Sequence, residues 1–116
     1  MVALALAAVV WTGCAHKPHV RPASIVIACA DANFYVGDLR WKSWGPNAAI
    51  ALGQGHQNDC TPNCAAGHFH AFPMTVRLSH VVTCVKGRRE FSRITWTVKG
   101  KTDEETLPCV FLRLKP

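Results

Sequence analysis

The chain has 116 residues, of which 49% are hydrophobic and 17% charged, and its formal net charge is +6. A chain of this length corresponds to one domain, and a composition this apolar excludes an intrinsically disordered protein. The hydrophobic core of such a small domain gives only marginal stability, so disulfides would add useful stability. The six cysteines are therefore expected to form disulfides, provided that the chain is exported.

An unbroken apolar run, residues 2–11, opens the chain. It has the length of a signal-peptide core and is shorter than the roughly 20 residues that span a bilayer. Small residues then precede Cys14, which resembles a bacterial lipobox, where the cysteine is acylated. The sequence thus predicts a signal peptide over residues 1–13, lipidation of Cys14 as the membrane anchor, and a tether over residues 14–23. An ordinary secretory signal and an unprocessed, buried N-terminal segment are the alternatives.

From residue 24 onward, apolar residues recur at every second position, and β-branched and aromatic types are frequent, which is typical of strands. Turn residues occupy positions 45–47 and 86–87. We expect a single all-β domain over residues 24–116, a small antiparallel β-sandwich or a partly open barrel, stapled by disulfides. Its predicted strands are residues 24–30, 34–44, 48–55, 68–84, 91–98 and 109–115.

The alternation also assigns side chains to the two faces of the sheet. In the second strand, Tyr35, Leu39 and Trp41 are expected to face the core, with the charged residues between them in solvent. Proline cannot donate a ladder hydrogen bond, so Pro73 predicts a bend or an edge position in the fourth strand. Residues 101–106 are predicted to be a charged loop.

The segment Asn-Asp-Cys-x-Pro-x-Cys at residues 58–64 is the most specific part of a pattern that covers about two thirds of the chain. The pattern comprises Cys29, Asp31, Asn33, Trp41, Trp44, Gly45, Asn58, Asp59, Cys60, Pro62, Cys64, Gly67, Phe69, Pro73, Cys84, Phe91, Arg93 and Thr95. It resembles a family of small exported actinobacterial proteins without an assigned activity. The resemblance implies an extracytoplasmic, cysteine-bearing domain and no catalytic residues. Cys109 and the last predicted strand lie outside it.

The number of cysteines leaves their pairing open. If the first cysteine is lipidated, at least one of the others is unpaired; if it is not, fifteen pairings exist. A hairpin of the second and third strands would bring Cys29 close to the loop that holds Cys60 and Cys64. We expect disulfides from Cys29 to Cys60 and from Cys64 to Cys84, with the last cysteine free. A zinc site of Cys60 and Cys64 with histidines is the alternative.

Histidines form the first group of candidate binding residues. His68 and His70 alternate in a predicted strand, so both rings would project from one face and could share a metal ion. His56 or Asp59 could supply a further ligand. Solvent-facing histidines without a metal are the alternative.

Basic residues at one predicted hairpin form the second group. They are Arg77, Lys86, Arg88, Arg89 and Arg93. Such a cluster attracts phosphate or carboxylate groups, and a domain held beside anionic lipid would meet them constantly. A solvated surface that only keeps the protein soluble is the alternative.

No local signature of a catalytic nucleophile such as Gly-x-Ser-x-Gly occurs, and paired carboxylates are scarce. We therefore expect neither enzymatic activity nor a cofactor. The sequence predicts an exported, lipid-anchored protein of the cell envelope with a binding or structural role. Its expected partners are an anionic envelope polymer, lipid headgroups or another envelope protein, and not nucleic acid. A metal-binding surface protein and an enzyme whose site forms only on folding are the alternatives.

Overall fold

The computed structural model describes residues 8–107 and Cys109. Its strands are β1 (Ile25–Val26), β2 (Phe34–Trp44), β3 (Ala49–Asn58), β4 (Phe69–Thr83), β5 (Arg89–Val98) and β6 (Lys101–Thr106). They pair antiparallel in chain order, and the sheet curls into a half-barrel. The predicted all-β fold is confirmed, as one curled sheet and not as two packed sheets. No helix in this described part of the chain is long and apolar enough to cross a lipid bilayer.

The hydrophobic core lies on the inner side of the curl. Val36, Ala49, Val76, Leu78 and Ile94 are its most completely buried side chains, with at most 1% exposed. They come from four neighbouring strands, one or more from each of β2 to β5. The alternation along each strand therefore places one apolar row against the next.

An aromatic cluster connects strands that are not neighbours in the sheet. The ring of Phe34 on β2 lies 6.2 Å from that of Phe72 on β4 and 5.7 Å from that of Trp96 on β5, measured between centroids. Aromatic pairs at these separations attract each other beyond simple burial. The contact between β2 and β5 holds the sheet in its curled form.

Strand β2 has the predicted bounds, but its alternation is interrupted. The pairing with β3 shifts by one residue around Asp38, whose φ is 51°. An inserted residue reverses the side to which the preceding residues point. Val36 is therefore buried and Tyr35 lies on the outer face, so the prediction that Tyr35 faces the core is wrong. Leu39 and Trp41 pack against the core as predicted.

The residues predicted to be a charged loop form strand β6. Lys99 and Gly100 make the turn that precedes it, with φ values of 49° and 79°, a backbone typical of tight hairpin turns. All six residues of β6 are exposed, so this strand has no apolar alternation. The strand predicted at residues 109–115 lies, apart from Cys109, outside the described residues.

Strand β1 is shorter than predicted. Beyond its end, the amides of Ile27 and Ala28 both donate to the carbonyl of Phe34, at 2.9 and 3.0 Å, and this tight turn ends the regular pairing. Ile25 and Ile27, two residues apart, are both buried.

Pro73 lies at a point where strand β4 is at the edge of the sheet on one side, which agrees with the predicted edge position. Pro73 pairs with Gln54 of β3, but the ladder between β4 and β5 begins only at Thr75. At Pro73, strand β4 therefore has a neighbour on one side only, where a missing donor is tolerated.

Residues before Cys14 pack against the sheet. Val9 and Trp11 are buried, with 4% and 3% of their surfaces exposed. The indole nitrogen of Trp44 donates to the carbonyl of Val9 at 2.7 Å, and Val10 pairs with Glu90. This arrangement corresponds to the unprocessed alternative, because cleavage before Cys14 would remove two side chains from the core.

The segment predicted as a tether also contacts the sheet. The indole nitrogen of Trp41 donates to the carbonyl of Pro22 at 2.8 Å, and the amide of Leu39 donates to the carbonyl of Ala23 at 3.0 Å. Signal cleavage itself stays a prediction.

Disulfide formation is confirmed, with the pairs Cys14–Cys29, Cys60–Cys64 and Cys84–Cys109. The predicted pairs are wrong, because Cys60 and Cys64 close their own loop. Cys29 bonds the first cysteine of the chain, and Cys109 is not free. The sulfur of Cys14 cannot bond Cys29 and carry a lipid thioether at the same time, so this structure and a lipidated form exclude each other.

We expect Trp11→Ala to lower the free energy of unfolding by about 3–5 kcal/mol, because it empties a large buried site. Urea denaturation of the full chain, with intact mass showing that Trp11 is retained, measures the loss. Val20→Ala is the matched control, since Val20 is 42% exposed in the same segment. Equal, small effects of the two changes would show that the N-terminal segment does not belong to the core.

The double variant Cys84→Ala/Cys109→Ala is expected to lose about 3.5 kcal/mol of stability in the chain-entropy model, because this bond joins residues 25 apart in the sequence. The bond between Cys60 and Cys64 spans only 4 residues, so removing it should cost about 2 kcal/mol. Guanidinium titrations of both double variants compare the two losses. A larger loss from the Cys60/Cys64 pair would contradict this order.

Candidate functional site

The loop between β3 and β4 is organised by the carboxylate of Asp59. One oxygen accepts hydrogen bonds from the amides of Thr61 and His68, both at 3.1 Å, and the other bonds Nε2 of His70 at 2.9 Å. The His70 hydrogen bond, followed by the two amides, lowers the pKa of Asp59 from 3.8 to about 2. Each of these bonds favours the ionised form. Asp59 therefore holds its own loop in place through these hydrogen bonds.

The three histidines that were candidates for a metal site are not brought together. His70 bonds Asp59, while His68 precedes β4 and contacts Asp59 through its backbone. The ring of His56 stacks on Tyr35, with centroids 4.7 Å apart. This geometry joins one histidine to one carboxylate and does not assemble a larger ligand set.

Among the described residues, the potential metal ligands that do converge are Cys84, Glu90 and Cys109. Both sulfurs are bonded to each other. The carboxylate of Glu90 accepts hydrogen bonds from Thr12 at 3.1 Å and from Arg88 at 2.9 Å. Since each ligand group already has a partner, this cluster holds the N-terminal segment against the sheet.

Two of the five predicted anion-binding residues lie close to carboxylates of the protein itself. Arg88 forms an ion pair with the buried Glu90 at 2.9 Å, and Arg93 lies 3.7 Å from a carboxylate oxygen of Glu104. A paired guanidinium attracts a further anion much less than a free one does. In the predicted cluster, Arg88 is therefore engaged by Glu90, whereas Arg93 has a carboxylate nearby without a hydrogen bond to its Nε from any described residue.

The other three cations of that group lie in two places. Lys86 and Arg89 are exposed at the hairpin between β4 and β5, whereas Arg77 belongs to the outer face of β4. Arg89 pairs with Thr83, six residues from Arg77 and so about 20 Å along the strand. The predicted single patch is thus two separate sites.

A groove of about 820 Å³ runs along outward-facing residues of the sheet, and its lining also includes Leu39 and Met74 at the margin of the core. Arg40, Leu52, Thr75 and Thr97 are successive partners across β2, β3, β4 and β5, so their side chains share one face. The groove crosses this row. Its polar lining consists of Asp38, Arg40, Gln54, Thr75, Thr97 and Lys99.

The groove is electropositive. Arg40 and Lys99 line it, and Arg77 follows Thr75 by two residues on the same face of β4. Within residues 8–107 and Cys109, none of these three cations forms an ion pair. Asp38 is the one acidic residue in the lining. Three free cations against one carboxylate favour an anionic ligand.

Sequence reasoning placed Arg40 in solvent but did not connect it with Arg77 or Lys99. The connection depends on the register of four strands and on the turn between β5 and β6. The Lys-Gly pair that forms this turn was a usable signal, because glycine readily adopts positive φ.

We expect Asp59→Asn to destabilise the loop, because the variant loses the carboxylate that bonds His70. Because the pKa of Asp59 is lower in the folded state than in the unfolded state, its ionised carboxylate stabilises the fold at pH values above the unfolded-state pKa. That stabilisation is lost as the pH falls through the folded-state pKa. The melting temperature of the parent should therefore exceed that of the variant near neutral pH. The difference should shrink as the pH falls from 3.8 through about 2. A difference in melting temperature that does not change with pH would contradict stabilisation of the loop by an ionised Asp59.

Comparison with known proteins gives no relative for this arrangement: no family model, no curated protein and no solved structure matches the chain. The resemblance to exported actinobacterial proteins stays a prediction.

Proposed function

We propose that this protein is an exported, non-catalytic binding domain of the cell envelope that takes an anionic partner in the outer groove. The observation that supports this role is that Arg40 and Lys99 line an open groove. Arg77 lies two residues beyond Thr75 on the same face, and none of the three has an ion-pair partner among the described residues. Guanidinium groups bind carboxylate and phosphate through paired hydrogen bonds. The partner therefore carries such groups at intervals along its length.

Export is supported by the covalent structure. All six cysteines are paired, and disulfides persist in oxidising compartments outside the cytosol. The form described here has no sulfur free on Cys14 for a lipid. The protein is therefore extracytoplasmic, and its groove attaches it to the envelope.

A binding titration with fluorescent poly-L-glutamate tests the proposal with a simple polyanion. The parent protein should bind it, and binding should weaken between about 50 and about 300 mM salt, because screening reduces attraction between exposed charges. The double variant Arg40→Gln/Arg77→Gln should bind at least about tenfold more weakly, which corresponds to roughly 1.4 kcal/mol.

Arg89→Gln and Lys17→Gln are the matched controls. Both residues are exposed cations outside the groove, so combining these two changes lowers the net charge by the same amount. The control double variant should bind within about twofold of the parent. Equal losses in the two double variants would show that net charge, and not the groove, attracts the polymer.

A further inference from the structure

An aromatic patch on the outer face has no role in the core. Tyr35 stacks on His56 with centroids 4.7 Å apart and an interplanar angle of 14°, and Phe69 lies 5.7 Å from Tyr35. Phe69 is 48% exposed, the most exposed of the large hydrophobic side chains in the described chain. Leaving an aromatic ring in water forfeits favourable burial. Exposed rings of this kind are typical of contact surfaces.

The aromatic patch adjoins the groove. His56 and Gln54 are two residues apart on β3, and Gln54 lines the groove. Gly37, the partner of Gln54, directly precedes Asp38 and follows Tyr35 by two residues. A Cβ atom at Gly37 would lie 4.0 Å from the ring of Tyr35, so the ring extends along the strand toward the groove.

The combined surface is long and chemically divided. From Phe69 to Arg77 is eight residues of β4, or about 27 Å. Aromatic rings occupy one end and Arg77 the other. Arg40 and Thr75 share a row two residues before Arg77, and Asp38 and Gln54 lie between this row and the rings. A ligand that matches this order is extended, has apolar ring faces, and carries both hydroxyl groups and negative charges.

We propose that the ligand is an acidic polysaccharide, an inference that rests on the proposed function and specifies its partner. The C–H face of a sugar ring stacks on Phe69 and Tyr35, because polarised C–H groups complement the electron-rich face of an aromatic ring. Sugar carboxylates bind Arg40 and Arg77. Hydroxyl groups donate to Asp38 and exchange hydrogen bonds with Gln54.

A lipid surface fits these observations less well. Ile50 and Leu52 are exposed on the same face, but they belong to β3, which has β2 and β4 on either side. Arg77 lies beside Ile50 and Arg40 beside Leu52 on the neighbouring strands, so burying this face among lipid chains would also bury charge at a cost. Interfacial binding instead needs a broad apolar face that sinks below the headgroups.

The test compares three probes with the full-length protein. They are an oligomer of uronic acid, poly-L-glutamate of the same charge, and vesicles of phosphatidylglycerol. We expect the oligouronate to bind at least about fivefold more tightly than poly-L-glutamate. Phe69→Ala should remove most of this preference while leaving poly-L-glutamate binding within about twofold. Phe69 is exposed, so the variant should fold, and its circular dichroism verifies this.

Phe69→Trp and Val20→Ala complete the design. The first retains an aromatic face and should retain the preference for the sugar, whereas the second removes an exposed aliphatic side chain outside the sheet and should change nothing. Arg40→Gln should weaken binding of both polyanions. Saturation transfer from aromatic protons of the protein to ring protons of the oligouronate would support direct stacking.

The outcomes separate this inference from the function on which it rests. Equal binding of the two polyanions, unaffected by Phe69→Ala, overturns the polysaccharide assignment and leaves the anionic partner standing. Tight binding to vesicles without binding to oligouronate assigns the surface to lipid and also overturns it. Binding of none of the three probes overturns both proposals.

Discussion

Strand β2 has two extra residues relative to β3, one between Gly37 and Arg40 and one between Trp41 and Ser43, and the first of them is the constraint on which both faces of the sheet depend. Val36 and Leu39 both contribute to the core although they are three residues apart, which a regular two-residue alternation does not allow. Asp38 supplies the inserted position, with φ of 51°. Strand β3 accommodates the insertion through a close approach of backbones. A Cβ at Gly53 would lie 2.7 Å from the carbonyl oxygen of Gly37 and 2.9 Å from Leu39, so only glycine fits there.

The same insertion determines what the outer face can bind. It leaves Tyr35 outside on one side of the bulge and Arg40 outside on the other, with the carboxylate of Asp38 between them. Without it, one of these two side chains would point inward and displace part of the core. The proposed site therefore arises from the packing requirements of the opposite face, and the aromatic and cationic parts of the surface are coupled through one backbone irregularity.

The strands with one buried face were predictable, because their apolar residues recur at every second position. Ile94, Trp96 and Val98 on β5 are examples. Strand β6 was not, since exposure of both faces removes the periodic signal on which a strand prediction depends. The bulge at Asp38 depends on tertiary pairing with β3. The pair Cys14–Cys29 depended on contacts between the sheet and a segment that had been interpreted as a tether. The groove depended on the register of four strands at once.

The acidic composition of β6 has a consequence for self-association. Within the described chain, β6 is the last strand of the sheet, paired with β5 alone, and an open strand edge is a template for further pairing between molecules. Asp103, Glu104 and Glu105 are exposed in its middle. A second copy aligned on this edge would bring its own three carboxylates against these, in a protein whose remaining charge is strongly positive. Repulsion between these carboxylates disfavours pairing of two molecules through the unpaired backbone groups of this edge.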